Sequence, residues 1–201
     1  MAVRVTSGPR AGQWTAVILA IWMGYTAILA VTRVLDAWAP PPLLLLLLSM
    51  VVFLVWASRR TWLVRLCELS LKWLVGFQAF RIIVEVMIHQ AVGEGIAHPT
   101  MTWSGTNFDI VAGVSALLLV PFADRVDRRF LQAWNLLMAG VLIITVVTAI
   151  LAMPTPFRQI GGDPPNVWLA QFPFVWLPTV LLLCAWLGHV VLFTRLRRTA
   201  F

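Results

Sequence analysis

Apolar runs recur along this chain, and the run at positions 41–57, PPLLLLLLSMVVFLVWA, contains no charged residue. Runs of this length can form most of a bilayer-crossing helix. In the whole sequence 61% of the residues are hydrophobic and only 11% are charged, which excludes an ordinary soluble domain. A chain of 201 residues has room for about six helices of roughly 20 residues. We therefore predict one all-α integral membrane domain over residues 1–201, a polytopic transmembrane helical bundle.

The apolar runs place six candidate spans in the sequence. Their predicted ranges are 14–35, 42–57, 71–91, 108–123, 130–152 and 174–193. The connection at 153–173 is rich in proline and carries the pair Gly161-Gly162. Because such residues stiffen turns, we expect this connection to be a defined lid over the external ends of the helices.

The basic residues predict an orientation. If the six spans alternate in direction, 12 of the 15 Lys and Arg residues fall on one side. These are Arg4, Arg10, Arg59, Arg60, Arg65, Lys72, Arg125, Arg128, Arg129, Arg195, Arg197 and Arg198. By the positive-inside rule this side is cytoplasmic, so both termini are predicted to lie in the cytoplasm. The net charge of +7 is then a consequence of topology and of contact with anionic lipid headgroups, and we expect no nucleic-acid partner.

The third predicted span contains a stripe of polar residues. In FRIIVEVMIH, positions 80–89, Arg81, Glu85 and His89 are spaced four residues apart and share one helix face. Charged groups at membrane depth are costly and usually find partners inside a bundle. We therefore expect Arg81 and Glu85 to pair along the helix, at the floor of an outward-facing pocket, with His89 near its mouth.

Further polar residues come from the external connections. Asn107 and Asp109 begin the fourth span, where either capping or ligand binding would explain them. Arg158, in the 153–173 connection, could face Asp109 or Glu85. The candidate ligand-binding residues are therefore Arg81, Glu85, His89, Asn107, Asp109 and Arg158.

Metal and haem sites are weaker interpretations. Glu85 and His89 could bind a metal with Asp109 or His98, but this spacing is common and Arg81 would compete for the carboxylate, so we assign no metal ligands. Paired haem ligation by His89 and His189 is disfavoured, because their predicted depths differ by roughly 15 to 20 Å in a core of about 30 Å. His89 with His98 stays open, and the cofactor is unknown.

Asn135 and His189 form a second polar pair in the prediction. Asn135 lies six residues after Arg129 and His189 six residues before Arg195, so the two should share a depth in the cytoplasmic half. We expect them to hydrogen-bond across the fifth and sixth spans as a structural pair.

The segment between the second and third spans has a different pattern. Thr61, Arg65, Glu68 and Lys72 recur at helical spacing among apolar residues, which predicts an amphipathic segment at the cytoplasmic interface. Cys67 in this segment and Cys184 within a span start no metal-binding pattern, and we expect no disulfide between them.

An ordered set of motifs carries a resemblance. FRxxVExMxH, MTWSGTNFDI, PTPFR and FPFVWLPT occur in this order between roughly positions 77 and 196. In this set the chain resembles a family of small bacterial multi-pass membrane proteins to which no activity is assigned. The resemblance implies a bacterial cytoplasmic (inner) membrane and transfers no catalytic residue.

Three classes of function stay open. The first is binding or transport of a small molecule or lipid-like acid in the outward-facing pocket. The second is a membrane enzyme in which Glu85 or His89 exchanges protons, with or without a metal. The third is an assembly subunit whose polar residues only hold the bundle together. The lipid bilayer is the expected partner in each case, and a homo-oligomer or a larger membrane complex is left open.

Overall fold

A computed structural model describes residues 9–37, 41–59 and 61–198, and all side chains in these ranges except those of 9–12, 57, 61 and 62. Arg4 and Arg60, used above for orientation, lie outside the described residues, as do the side chains of Arg10 and Thr61. The regular elements in the described ranges are all helical, so the all-α prediction is confirmed.

The helices follow the apolar runs. They are α1 (Pro9–Val31), α2 (Pro42–Ser58), α3 (Thr61–Leu66), α4 (Leu71–Gly76), α5 (Phe80–Gly93), α6 (Asp109–Leu119), α7 (Arg128–Leu151) and α8 (Leu182–Arg198). A 3-10 turn at Phe77–Ala79 joins α4 to α5, and another at Val120–Phe122 extends α6. A π-helical turn at Leu177–Leu181 contains Pro178, which lacks an amide donor, and leads into α8.

Three helical stretches in the described part of the chain are long and apolar enough to cross a membrane, fewer than the six spans predicted. They are Gln13–Val31, Arg128–Leu151 and Leu177–Arg198, while Pro42–Trp56 and Asp109–Phe122 are apolar but shorter. Residues 71–93 are helical throughout, although the 3-10 turn interrupts the α-helical hydrogen bonding.

Two apolar cores lie at opposite ends of the bundle. At one end, called the basic end because Arg125, Arg128 and Arg195 lie there, the buried residues come from α3, α4, α6 and from the halves of α7 and α8 nearest to this end. At the other end, called the lid end, they come from the start of α2, the end of α5, the end of α7 and the connection before α8. Buried polar side chains lie between the two cores.

The connection after α5 folds back into the bundle. Asp109, at the start of α6, is ion-paired with Arg81, which precedes the end of α5 at Gly93 by roughly 18 Å along the helix. Irregular backbone at this depth is tolerated where protein surrounds it, and Met101, Thr102 and Asn107 in this connection are all buried. As a result, α6 starts in the middle of the bundle.

The connection between α7 and α8 is packed over the lid end. Trp168, Ala170 and Val175 are buried in the core there, and the Trp168 ring meets the Phe174 ring edge-on. The helix α1 attaches at this end through two indole groups: Trp22 Nε1 donates to the Thr179 carbonyl at 2.9 Å, and Trp176 Nε1 donates to the Met23 carbonyl at 3.1 Å.

The predicted amphipathic segment forms the short helix α3 and the turn after it. Leu63 and Cys67 are buried against the core of the basic end, whereas Arg65 and Glu68 are exposed. Cys67 and Cys184 are both free thiols, and burial raises the pKa of the Cys67 thiol.

Candidate functional site

Arg81 is the centre of the buried polar layer. It is only 1% exposed, and it lies on α5 opposite the start of α6. Its Nε donates to Asp109 Oδ2 at 2.7 Å, and its Nη2 donates to Asp109 Oδ1, so the two side chains form a bidentate ion pair. The predicted pairing of Arg81 with Glu85 is therefore wrong. Asp109 aligns both carboxylate oxygens with the planar guanidinium, a geometry that favours it over a neighbour on the same helix.

His189 and Asn135 extend this layer to α7 and α8. Arg81 Nη1 donates to His189 Nε2 at 3.1 Å, so His189 must carry its proton on Nδ1, which donates to Asn135 Oδ1 at 2.8 Å. Asn135 Nδ2 in turn donates to the His189 carbonyl at 3.1 Å. The pair that the sequence analysis treated as separate is thus joined to the Arg81–Asp109 ion pair.

Glu85 is held by Asn107. Asn107 Nδ2 donates to Glu85 Oε1 at 2.5 Å and to the Met101 carbonyl at 2.9 Å. Asn107 Oδ1 accepts from the Asp109 amide at 3.0 Å and from the Thr145 hydroxyl at 2.7 Å. An amide side chain can make four such hydrogen bonds, and Asn107 makes all four. It therefore connects α5, α6 and α7.

One oxygen of Glu85 has no partner in the described part of the chain. Glu85 is 1% exposed, and its Oε2 makes no hydrogen bond to any described residue. Arg81 is already paired with Asp109, and the hydrogen bonds of His189 leave its imidazole neutral, so the layer contains two carboxylates and one cation. A buried carboxylate oxygen without a partner carries a desolvation penalty that a ligand, a proton or water can relieve.

A cavity of about 90 Å³ lies beside this layer. Its polar lining residues are Arg81, Glu85, Asp109 and Thr145, and the rest of its wall is apolar. On the side towards the lid end its lining residues Met101, Met153 and Leu169 are all buried. The outward-facing opening of the pocket stays a prediction.

Three of the six predicted ligand-binding residues do not line the cavity: Asn107, which contacts Glu85 behind it, and Arg158 and His89, which lie farther away. Arg158 is exposed, and it donates to the carbonyls of Ile160 and Gly162 in its own loop, at 3.1 Å and 2.8 Å. The proposed pairing of Arg158 with Asp109 or Glu85 is therefore wrong. His89 is exposed near the lid end, stacked on Trp103 with ring centroids 4.1 Å apart. The stripe on α5 thus contributes two residues to the cavity rather than three.

His98, considered above as a metal or haem ligand, uses both ring nitrogens in loop packing. Its Nδ1 accepts from the Thr100 amide at 3.2 Å, so its Nε2 carries the proton and donates to the Gly161 carbonyl at 3.1 Å. Among the described residues, no three His, Cys, Asp or Glu side chains are grouped as metal ligands.

The sequence analysis did not identify Thr145, the Met101 carbonyl or the link from His189 to Arg81. Thr145 is one of two hydroxyl residues within the apolar run of α7, and such hydroxyls usually bond their own helix, as Thr145 also does with the Val141 carbonyl. Only the packing of α7 against the connection before α6 gives it a second role.

No protein-family model matches this chain, and no curated protein or solved structure matches it either. The resemblance drawn from the four motifs stays a prediction.

Proposed function

We propose that this chain is a bacterial inner-membrane protein that binds or transports a small molecule in the cavity beside Glu85. The observation that carries the proposal is that Glu85, whose Oε2 has no hydrogen-bond partner among the described residues, is one of the few polar residues lining a cavity with room for a small polar group. Water needs about 10–15 Å³ of such space, so about 90 Å³ admits a group of several atoms.

The proposed topology has six spans and cytoplasmic termini. Its support is that α2 and residues 109–122 are shorter apolar helices, and residues 71–93 are helical, between the three longer ones. Buried residues of α3, α7 and α8, among them Leu63, Leu131 and Leu196, share one core at the basic end. Positive charge concentrated at one end favours that end as the cytoplasmic one.

The ligand we propose has a hydrogen-bond donor, an amine or a hydroxyl, at its polar end. A lipid-like acid, the ligand considered in the sequence analysis, would need a free cation, and the Arg81 guanidinium is already paired with Asp109. An acid next to Glu85 would add a third carboxylate to a layer with one cation. A donor instead satisfies Oε2, and a cationic one also balances the charge.

The two alternative functions have less support. For an enzyme that exchanges protons at Glu85 or His89, a second polar group would have to orient the substrate; His89 lies outside the cavity, and the four hydrogen bonds of Asn107 are already made within the protein. The Arg81–Asp109–His189–Asn135 group suits an assembly subunit with a purely structural network, because its members hydrogen-bond one another. Glu85 does not suit such a network, because its Oε2 makes no hydrogen bond to the described residues.

Native mass spectrometry of the full chain released from gentle detergent tests the proposal. We expect a retained amine or alcohol on the wild-type protein and its loss from Glu85→Gln, while Arg158→Gln, changed outside the cavity, keeps it. Retention of a fatty acid would overturn the proposed ligand class. A protein that carries no ligand, and that binds neither added octylamine nor added octanol, would overturn the binding function.

A further inference from the structure

A second, larger apolar space lies on the side of the bundle. It is a groove of about 640 Å³ between α2, α7 and α8. Representative lining residues are Leu48 and Val51 of α2, Ile143 and Val147 of α7, and Trp186 of α8. Ser58 is the one lining residue with a polar side chain. Leu48, Val51, Ile143 and Val147 are also exposed, so the groove opens on the apolar outer surface of the bundle.

The groove adjoins the cavity beside Glu85. Four residues line both spaces: Leu47 of α2, Val146 and Ile150 of α7, and Leu182 of α8. These side chains are partly buried, so they form a shared boundary between the inner cavity and the outer groove. The inner cavity is therefore separated from the outer groove only by these four side chains.

The dimensions of the groove fit an alkyl chain. Its lining residues on α2 run from Leu44 to Ser58, a length of roughly 21 Å along the helix axis. One leaflet of a bilayer has an apolar depth of about 15 Å, half of the hydrocarbon core. The groove is therefore long enough for a lipid-sized chain, while the inner cavity of about 90 Å³ is too small for the same chain.

We propose that the ligand is a single-chain lipid that enters sideways from the bilayer, with its amine or hydroxyl end at Glu85 and its alkyl chain in the groove between α2, α7 and α8. The inference rests on the function proposed above and adds the ligand's tail and its route. The ligand must combine a hydrogen-bond donor at one end with an apolar chain. The donor is needed in the inner cavity, which Glu85 lines, and the chain in the apolar groove, and the two spaces meet at Val146. A bulky headgroup does not fit the inner cavity.

The test uses photo-crosslinking to the full chain in phosphatidylcholine nanodiscs. The probe is hexadecylamine with a diazirine at the end of its chain, compared with the same chain carrying a hydroxyl or a carboxylate end. We expect the amine and the alcohol to label the groove on α2, α7 and α8. The carboxylate probe should label it about tenfold less, which corresponds to about 1.4 kcal/mol of lost affinity.

Two substitutions separate the groove from the polar end. Val146→Trp fills the boundary between the spaces and should reduce groove labelling by about tenfold, whereas Val114→Trp, an exposed residue of α6 that lines neither space, should leave it unchanged. Glu85→Gln should remove the preference for the donor ends. Thermal unfolding checks that each variant folds, and Leu47→Trp replaces Val146→Trp if the latter does not fold.

The outcomes distinguish the two proposals. Labelling that depends on Glu85 but maps to the lid near Leu169, and is unaffected by Val146→Trp, overturns the sideways route and leaves the proposed function standing. Equal groove labelling by all three probes, independent of Glu85, means that bilayer lipid fills the groove without selection and overturns the lipid assignment, while native mass spectrometry of the wild type and Glu85→Gln decides the proposed function separately. Labelling that rises only when a dimer dissociates makes the groove a contact between copies and overturns the lipid assignment.

Discussion

Arg81 and Glu85 lie one turn apart on α5, and their surroundings are opposite. Arg81 has three hydrogen bonds to two other helices, with Asp109 and His189 as acceptors. Glu85 has one oxygen bound by Asn107 and one without a partner among the described residues. The first side chain therefore joins three helices, and the second is the residue to which we assign the proposed ligand.

The Arg81–Asp109 pair predicts a strong asymmetry between single and double substitutions. Arg81→Leu leaves the Asp109 carboxylate buried without its cation and should lower the free energy of unfolding by about 3–5 kcal/mol. Asp109→Leu should cost a similar amount. The double variant Arg81→Leu/Asp109→Leu should recover most of the loss, because replacing a whole buried pair by apolar side chains is often close to neutral.

Thermal or denaturant unfolding of the four proteins in one detergent measures this cycle. Lys72→Leu provides the control, since the Lys72–Asp124 pair is largely exposed at 3.5 Å and its loss should hardly change stability. If the decreases in unfolding free energy of the two single variants simply added in the double variant, the ion pair would not stabilise the fold as a unit.

At the level of elements, the polar layer depends on how closely α6 approaches α5. A Cβ built on Gly113 would lie 2.7 Å from Ile82 Cγ1 and 2.9 Å from the Ile82 amide nitrogen. The contact is with backbone as well as side chain, so neither helix can move aside cheaply. Glycine at this position therefore permits the approach that brings Asp109, one turn earlier on α6, to Arg81.

Gly113→Ala should consequently destabilise the protein, by about 1–3 kcal/mol, through overpacking between α5 and α6. Gly140→Ala is the matched control, because nothing lies within 4 Å of a Cβ built on Gly140 of α7. That change should be neutral or slightly stabilising, since alanine has the higher helix propensity. This account of the helix contact would be contradicted if the unfolding midpoints of both variants decreased by the same amount, or if only Gly140→Ala lost stability.

Sequence patterns predict the elements of this fold better than its contacts. Apolar runs indicate where α1, α2, α7 and α8 lie, because a run of this length has few alternatives to a helix. The four-residue spacing of Arg81 and Glu85 indicates a shared helix face, but not which partner each takes, since Asp109 reaches Arg81 only through a connection that folds back into the bundle. Arg158 has no such local signal, and its loop turns it away from the cavity.

At the level of the whole molecule, the two ends of the bundle differ in two ways: one carries a cluster of basic residues, and the other is covered by a packed loop. The basic end has Arg125, Arg128 and Arg195, whereas the lid end is covered by the packed connection between α7 and α8. If the proposed orientation holds, the lid faces the periplasm and the ligand reaches Glu85 from the bilayer rather than from either aqueous side. Such a route suits a ligand that is poorly soluble in water.

Cysteine accessibility in bacterial cells tests this orientation. In a background with Cys67→Ala and Cys184→Ala, a membrane-impermeant maleimide should label Gly161→Cys, in the exposed turn of the lid, in spheroplasts with intact inner membranes. It should label Arg125→Cys, exposed in the turn between α6 and α7, only after the membrane is opened. Gly161 accepts substitution because a Cβ there meets nothing within 4 Å, and its carbonyl still accepts from His98. Labelling in the reverse order would place the basic end outside, and labelling of both sites in intact spheroplasts would exclude a chain whose two ends lie on opposite sides of the membrane.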